Sequence, residues 1–350
     1  MKFPGKLAAG CAVLLSLAAC GRDSKPPVLF SFEDYTDKPF LAEYEQAYHE
    51  APTTALYSDE DEAFAKMRAG YKPDVMAPCY YEFPRWREAG LIQPIDTAKL
   101  KNWDRIPAIL RGMAGIDAGG GKVWFVPQYW GNTSITFRTD LAPEYARSQS
   151  WNILFDPKYK GRVSVLEGVD DTVPFVAHMI GVDAYTMGPG DYDRVKAKLR
   201  ELVKQTRFIS SDDTQLAQGL VSGEVVAAMS WRVTYGRLHA QGVPVAYMNP
   251  PGGMFTYVCG LVMHKDPTDA AKALALIDSG ISDQAAAYTI LKIGDEPANE
   301  TGLKSLPNTT FQMLGLSRDV DTFLKSGIFQ RRLKDKEKIV NDWTEIRSGL

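Results

Sequence analysis

The sequence predicts an α/β protein with two lobes, and three observations support this fold class. The chain has 350 residues, more than the ~250–300 that one hydrophobic core usually organises. Apolar runs typical of strands alternate with helical patterns, which is the rhythm of an α/β lobe. Residues 123–137 form a β-rich run that is too long for one strand in one sheet. This run predicts a segment that crosses between two lobes.

The first residues are typical of a secreted, lipid-anchored protein. A positively charged start precedes the apolar segment 7–19, which is shorter than the about 20 residues that a transmembrane helix needs. The sequence Leu-Ala-Ala-Cys ending at Cys20 resembles the bacterial lipobox, in which the cysteine is lipidated and becomes the new N-terminus. A plain cleaved signal peptide is the alternative. We expect a signal peptide over 1–19, a flexible tether over 20–27, and a mature protein anchored outside the cytoplasmic membrane.

The composition argues against a nucleic-acid-binding protein. The formal net charge is −3 and no basic patch stands out, so nucleic acid is not an expected partner. Hydrophobic residues make up 45% of the chain, which is enough for a sizeable core.

Two of the four cysteines, Cys79 and Cys259, lie in the mature chain. In an oxidising compartment such cysteines often pair, and a disulfide and two buried free thiols remain equally open from sequence.

The first predicted strand ends in a group of aromatic and acidic residues. Residues 28–30 form a short apolar run, and the tip that follows carries Phe32, Asp34 and Tyr35 beside Glu33. Aromatic faces and carboxylates suit an organic cation, whereas an ordinary strand end with a solvated acidic turn is the alternative. The other elements predicted before the long run are helices over 40–49, 60–69 and 84–89 and a strand over 73–78.

The second half of the chain continues the alternation of strands and helices. The sequence Pro-Pro-Gly-Gly at 250–253 predicts a hinge-like break, after which a strand would return to the first lobe. The predicted strands are 163–166, 225–231, 243–248 and 255–262. The predicted helices are 173–180, 192–205, 215–222, 270–279, 283–291, 320–329 and 337–347, with a loop over 294–308.

Several motifs, taken in order and spacing, resemble the periplasmic spermidine/putrescine-binding proteins of bacterial ABC importers. These motifs are Ser150-Trp151 with Pro157-Lys158-Tyr159-Lys160-Gly161, Pro127 with Trp130-Gly131-Asn132-Thr133, Gly223-Glu224-Val225 with Met229-Ser230-Trp231, and Pro251-Gly252-Gly253 with Phe255. The resemblance covers nearly the whole mature chain. It implies a periplasmic binding protein fold, type II-like, whose two α/β lobes are joined by crossing hinge strands and close on a ligand. We expect one lobe to comprise 28–134 and 256–300 and the other to comprise 135–255 and 301–350.

The resemblance also implies a set of ligand-binding residues. Carried over position by position, they are Phe32, Asp34 and Tyr35 at the first strand tip, Tyr80 as an aromatic wall, Asp171 as a carboxylate for a terminal ammonium, Trp231 as an aromatic on the ligand chain, and Gln330 as a polar contact. The family usually has Trp at the Phe32 position and Glu at the Asp34 position.

Three departures from the family pattern alter the expected ligand. A second pocket carboxylate is replaced by Gly168, a Trp-x-Asp motif is replaced by 256–258, and Arg232 follows Trp231. Losing acids and gaining an arginine argues against long polyamines, because like charges repel in a partly dry cleft. Arg232 has two interpretations of equal weight: it holds the carboxylate of a zwitterionic ligand, or it forms an ion pair with a neighbouring acid.

The resemblance therefore predicts a lipid-anchored, monomeric substrate-binding protein that works with an ABC permease and ATPase. The expected ligand is a polyamine such as putrescine or spermidine, or a zwitterionic amino compound. A ferric-ion-binding protein that uses Tyr80 and Tyr81 is the alternative, although the four histidines have no partner motif. No catalytic motif such as Gly-x-Ser-x-Gly or His-Glu-x-x-His is present, so we expect no enzyme, no cofactor and no metal.

Overall fold

The structure is a computed structural model that describes residues 25–314 and 319–349. The predicted signal segment 1–19 and the predicted lipidation site Cys20 lie outside these residues, and only 25–27 of the predicted tether lie within them. Among the described residues, no helix has the length and apolar character that crossing a membrane requires.

The strands range from two residues to thirteen, and the two longest are β8 and β13. They are β1 (Val28–Ser31), β2 (Thr53–Leu56), β3 (Val75–Met76), β4 (Ile92–Gln93), β5 (Ile95–Asp96), β6 (Asp117–Gly119), β7 (Lys122–Val123), β8 (Val126–Arg138), β9 (Val163–Val165), β10 (Thr206–Ile209), β11 (Ala227–Trp231), β12 (Val245–Tyr247), β13 (Phe255–His264), β14 (Glu296–Pro297) and β15 (Ile328–Phe329).

The helices alternate with these strands along most of the chain. They are α1 (Lys38–Tyr48), α2 (Glu60–Arg68), α3 (Phe83–Glu88), α4 (Ala108–Arg111), α5 (Pro143–Arg147), α6 (Val169–Met179), α7 (Pro189–Val203), α8 (Asp213–Ser222), α9 (Arg232–Ala240), α10 (Ala270–Gly280), α11 (Asp283–Tyr288), α12 (Glu300–Lys304), α13 (Asn308–Leu314), α14 (Val320–Ser326) and α15 (Lys336–Ser348). A 3₁₀ turn covers Glu33–Thr36 and a π-helical turn covers Thr289–Ile293.

The two long strands join the two halves of one continuous sheet. Its main order is β10-β9-β11-β8-β13-β3-β1-β2, and β8 and β13 pair antiparallel from Phe255 opposite Thr133 to Leu261 opposite Val126. The predicted run 123–137 is broken before Val126, so β7 belongs to a separate small sheet with β5 and β6.

Two hydrophobic cores lie on either side of this junction. The first core contains Phe30, Val75 and Trp86 from the early elements together with Ile277 from α10. The second core contains residues of β9, β11, α6, α7 and α15, among them Phe175. Both long strands contribute to both cores: Trp130 of β8 packs in the first and Phe137 of the same strand packs in the second. The chain therefore crosses between two lobes on these strands, as the long β-rich run predicts.

The last fifty residues and the loop before them differ from expectation. We expected 301–350 to belong to the second lobe, but Leu303, Val320 and Leu324 pack in the first core. Only from Leu333 onward does the chain contribute to the second core. The predicted loop 294–308 contains β14 and α12, and the predicted helix 320–329 ends at Ser326, after which β15 pairs with β13.

The structure contains a disulfide between Cys79 and Cys259, one of the two outcomes that the sequence leaves open. The bond joins the segment after β3 to β13, and both cysteines pack in the first core. Because it links positions 180 residues apart, it fixes the return strand of the first lobe against the early strands.

Candidate ligand-binding cleft

The main functional candidate is a cavity of about 560 Å³ between the two lobes, within the size range of small-molecule sites. Its lining is rich in tyrosines and carboxylates. The acidic lining residues are Asp34, Asp37, Glu60, Asp171, Asp213 and Asp295. The aromatic lining residues are Phe32, Tyr35, Tyr81, Tyr129, Trp231, Tyr257 and Tyr288, and the basic ones are Arg237 and Lys292, both exposed.

The first-lobe wall is built around the carboxylate of Asp295. The 3₁₀ turn after β1 presents Tyr35, whose hydroxyl donates to Asp295 Oδ2 at 2.6 Å. Tyr257 of β13 donates its hydroxyl to Oδ1 of the same carboxylate, also at 2.6 Å. The ring of Tyr35 stacks on Tyr129 of β8, with centroids 3.9 Å apart and planes 7° apart. Each oxygen of Asp295 accepts one hydroxyl and retains a further lone pair, so the wall can still accept hydrogen bonds from a cation.

Two glycines allow this arrangement. Tyr257 pairs with Gly131 across β8 and β13, and a Cβ at Gly131 would lie 2.2 Å from the Tyr257 hydroxyl. The glycine thus leaves the space through which the tyrosine side chain crosses the neighbouring strand. Gly294, at φ 97°, ends the π-helical turn just before Asp295, in a backbone conformation that glycine adopts without strain.

The second-lobe wall is built around the carboxylate of Asp171 in the first turn of α6. Thr133 of β8 donates its hydroxyl to Asp171 Oδ1 at 2.6 Å, and the Gln330 amide donates to the same oxygen at 2.9 Å. Trp231, at the end of β11, pairs with Thr133 across the sheet. Gln330 directly follows β15 and donates its backbone N–H to Thr256. The register of three strands therefore places neutral donors around one carboxylate.

Burial shifts the acid–base behaviour of the cleft carboxyls. Desolvation raises the pKa of Asp171 to about 6, against the opposing hydrogen bonds of Thr133 and Gln330. Desolvation likewise raises the pKa of Asp295 to about 6, although the two tyrosine hydroxyls favour its ionised form. Burial raises the pKa of Glu60 to about 7. A cation held against these groups would favour ionisation, so the cleft is suited to accept positive charge.

Most of the predicted site residues lie together in this cleft. Phe32, Asp34 and Tyr35 line the first-lobe side, and Asp171, Trp231 and Gln330 line the second-lobe side.

Tyr80 was expected as the aromatic wall, but it does not line this cavity. Its hydroxyl donates to the Ala114 carbonyl at 2.7 Å and its ring packs near Phe83. The neighbouring Tyr81 lines the cleft instead. The turn after Cys79 directs consecutive side chains to opposite sides, so a shift of one residue exchanges the two tyrosines.

Arg232 does not line the cleft, which removes the predicted contact with a ligand carboxylate. Trp231 is the last residue of β11 and Arg232 is the first of α9. The Arg232 Nε lies 3.0 Å from Glu296 Oε1, and the two side chains are 7% and 1% exposed. The guanidinium also lies over the rings of Tyr247 and Phe323. The ion-pair interpretation of Arg232 is therefore the one that the structure supports.

The ferric-ion alternative required both tyrosine hydroxyls in one site. The Tyr80 hydroxyl is held by Ala114, and the Tyr81 hydroxyl lies 3.4 Å from Glu60 Oε1. Within the described ranges, no group of three or more His, Cys, Asp or Glu side chains could hold a metal ion.

Asp295 is one of the site residues that sequence reasoning missed, together with Glu60, Tyr129 and Tyr257. It lies in a stretch that we expected to be a featureless loop. The available signal was the pair of acids that directly follows Gly294 at a helix end, since a buried acid pair needs partners.

Comparison with known proteins agrees with the two-lobe architecture. Residues 40–305 match the family described as bacterial extracellular solute-binding protein. A spermidine/putrescine-binding periplasmic protein of Escherichia coli is 23% identical over 347 residues, covering 98% of this chain and 97% of that protein. A putrescine/agmatine-binding protein of Pseudomonas aeruginosa is 24% identical, covering 83% of this chain and 84% of that protein.

Solved structures show the same fold. A spermidine/putrescine ABC transporter substrate-binding protein from Streptococcus pneumoniae superimposes with a TM-score of 0.74 at 17% identity, covering 93% of this chain and 98% of that chain. At this identity the likeness establishes the fold alone, and it confirms the predicted two-lobe α/β class.

Proposed function

This chain belongs to the bacterial extracellular solute-binding proteins, and we propose that it captures a small organic polyamine for an ABC importer. The single observation that carries the proposal is the pair of half-buried carboxylates that face the cleft from opposite lobes. Asp171 and Asp295 are held by hydroxyl and amide donors. Neutral donors orient a carboxylate without cancelling its charge, so a cationic ligand can supply the missing positive charge.

The aromatic lining supports the same class of ligand. Tyr35, Tyr129 and Trp231 line the cavity, and aromatic rings attract ammonium groups and pack on alkyl chains. Relatives over nearly the full chain length carry names that specify spermidine, putrescine or agmatine. All three are amines with more than one basic nitrogen, which is the chemistry that two separated carboxylates favour.

Closure of the two lobes is the proposed mechanism. A ligand that contacts Asp171 and Asp295 together gains both interactions only when the lobes approach each other, so it shifts the population toward the closed form. We propose that the closed protein then docks on a membrane permease with its ATPase. Lipidation at Cys20 would keep the receptor near that permease and raise its effective concentration. Binding alone, without a catalytic step, is the activity that we propose.

Calorimetric titration of the purified mature protein tests the proposal. We expect putrescine or spermidine to bind with a dissociation constant in the micromolar range or below. Melting temperature should rise with ligand concentration as RT ln(1 + [L]/Kd) predicts.

The same titration compares other ligand classes. γ-Aminobutyric acid represents the zwitterions, which lose their expected partner because Arg232 is paired with Glu296, and ferric citrate represents iron. Saturable binding of either without any response to amines would contradict the polyamine proposal.

A further inference from the structure

The disulfide between Cys79 and Cys259 forms part of the wall of the interlobe cavity. Both cysteines line the cavity, although they are only 7% and 2% exposed. The protein packs around the bond on its other sides, since both cysteines belong to the first hydrophobic core. The cavity is therefore the route by which a small dithiol reaches the bond, and a ligand held in the cavity covers this route.

The backbone around the two cysteines forms an isolated antiparallel β-bridge. On one side of the bridge, the Tyr80 N–H donates to the Val258 carbonyl at 2.7 Å. On the other side, the Gly260 N–H donates to the Pro78 carbonyl at 3.0 Å. Because this bridge lies beyond the end of β3, the two hydrogen bonds and the disulfide extend the contact of the first-lobe segment with β13.

Strand β13 is irregular at the same point. Its register against β8 shifts between Cys259 and Gly260, and a Cβ at Gly260 would lie 2.2 Å from the Val126 carbonyl oxygen. The two long strands thus approach each other closely where their ladder is interrupted. An interruption of this kind bends a strand and changes the direction of its side chains. The disulfide therefore constrains β13 at the place where its pairing with β8 is interrupted.

Each of the two joined segments carries a cleft tyrosine close to the bond. Tyr81 lies two residues after Cys79, in the turn that follows β3. Tyr257 lies two residues before Cys259 on β13, and both tyrosines line the cavity. The Tyr257 hydroxyl donates to Asp295 Oδ1 at 2.6 Å, so its position orients a carboxylate of the first-lobe wall. A bond that joins the two segments therefore holds these two parts of the wall in register.

We infer that the disulfide between Cys79 and Cys259 is a redox switch of ligand affinity: the oxidised protein binds its ligand more tightly than the reduced protein. This inference rests on the proposed function and concerns the regulation of the same cleft. A disulfide that only restricts the unfolded chain raises stability without altering affinity. This bond lies in the wall of the site, so breaking it releases the two tyrosine-bearing segments from each other in the folded protein.

Reduction requires a dithiol as the electron donor. One thiolate of the dithiol attacks a sulfur of the disulfide, which breaks the S–S bond and forms a mixed disulfide. The second thiolate attacks the mixed disulfide, releases the protein and leaves the reductant as a cyclic disulfide. Two electrons and two protons thus pass from the dithiol to the protein, which then holds two thiols.

Titration calorimetry of the mature protein with putrescine and spermidine, before and after reduction by dithiothreitol, tests the switch. A thiol assay establishes the redox state, and tryptophan fluorescence establishes that the protein is folded. We expect the reduced protein to bind the tighter of the two amines about tenfold more weakly.

Three other results are decisive. Equal affinities in the two folded states overturn the inference and leave the proposed function standing. Unfolding of the reduced protein also overturns the inference alone, because the bond would then serve folding. Absence of binding of either amine to the oxidised protein overturns the proposed function, and the inference falls with it.

A double variant separates loss of the bond from other effects of the reductant. Cys79→Ala/Cys259→Ala should bind the tighter amine as weakly as the reduced wild type does, and dithiothreitol should leave its affinity unchanged. A folded double variant that binds as tightly as the oxidised wild type overturns the inference. The wild-type titrations test the switch even where this variant does not fold.

The redox equilibrium of the wild type measures the reverse coupling. A ligand that binds the oxidised form tenfold more tightly makes reduction tenfold less favourable, which lowers the midpoint potential by about 30 mV. We expect this shift in mixtures of reduced and oxidised dithiothreitol when the tighter amine is added to saturation. Sodium chloride at the same ionic strength is the control and should leave the midpoint unchanged. A midpoint that the amine does not move overturns the inference.

Discussion

Two groups of buried and half-buried carboxylates in this protein differ in what neutralises them. Glu82, Asp170 and Glu296 receive cations from the chain itself, through Lys336, Arg332 and Arg232. Asp171 and Asp295 receive only hydroxyl and amide donors. The paired group holds the lobes together, whereas the second group lines the cavity between them. Burying a carboxylate without a cation opposes folding. We therefore expect a ligand to bring positive charge to the cavity that Asp171 and Asp295 line.

Breaking a paired carboxylate should give the largest effect on stability. Arg232→Met leaves Glu296 buried without its cation. Because burial raises the pKa of Glu296 to about 8 even beside Arg232, the carboxyl can protonate, and we expect the free energy of unfolding to fall by about 1–3 kcal/mol. Chemical denaturation followed by tryptophan fluorescence measures this change. The double variant Arg232→Met/Glu296→Gln should recover most of the loss, because no uncompensated charge remains. If Arg232→Met is as stable as the wild type, the ion pair of Arg232 with Glu296 does not stabilise the fold.

Removing the charge of a cleft carboxylate should weaken ligand binding without lowering the stability of the protein. Asp171→Asn and Asp295→Asn should each weaken diamine binding by about 30- to 100-fold, because each removes a charge-assisted contact with an ammonium. Melting temperature without ligand should stay the same or rise, since the buried charge is gone. Titration calorimetry and thermal unfolding measure the two effects. Asp183→Asn, an exposed change outside the cleft at the Arg331 pair, should alter neither quantity.

The sequence located one of these two cleft carboxylates and not the other. Asp171 follows from a resemblance that aligns a continuous motif, whereas Asp295 lies after a helix end where no periodic pattern fixes a side chain. Its role depends on Tyr35 and Tyr257, which are 260 and 38 residues away in sequence. Long-range side-chain pairs of this kind leave no periodic pattern in the sequence.

The positions of Tyr80 and Arg232 outside the cavity lining have a related cause. Both residues adjoin a true cleft residue, Tyr81 and Trp231 respectively. A strand end fixes which segment reaches the cleft, but the turn or helix that follows decides which of two neighbours points inward. The alternation of strands and helices, by contrast, is set by apolar periodicity, and so the two-lobe fold was predictable.

The pH dependence of ligand binding should follow the ionisation of the two cleft carboxylates. Asp171 and Asp295 have pKa values raised to about 6 by burial, and an ammonium ligand requires their ionised forms. Affinity should therefore be constant above about pH 7 and fall by roughly tenfold between pH 7.5 and 5.5.

The stability of the protein without ligand should change with pH in the opposite direction to the affinity. A carboxyl whose folded pKa is raised binds more protons when folded, so its contribution to stability falls as pH rises from about 4 to 6. Thermal unfolding across this range, with and without putrescine, measures both trends. Affinity that stays level down to pH 5 would contradict the assignment of these two carboxyls as ammonium contacts.

The smallest expected effect concerns the hydroxyl groups that hold Asp295. Tyr257→Phe removes one donor that favours the ionised carboxylate, so the pH midpoint of diamine binding should rise by about half a unit while affinity at pH 7.5 changes less than about threefold. Tyr288→Phe is the matched control, because Tyr288 donates to Asp37 at the exposed end of the cleft. The pH midpoint of diamine binding by Tyr288→Phe should equal that of the wild type. A tenfold loss at pH 7.5 in Tyr257→Phe would instead mean that this hydroxyl contacts the ligand itself, and the first-lobe wall would then act through its tyrosine as much as through its carboxylate.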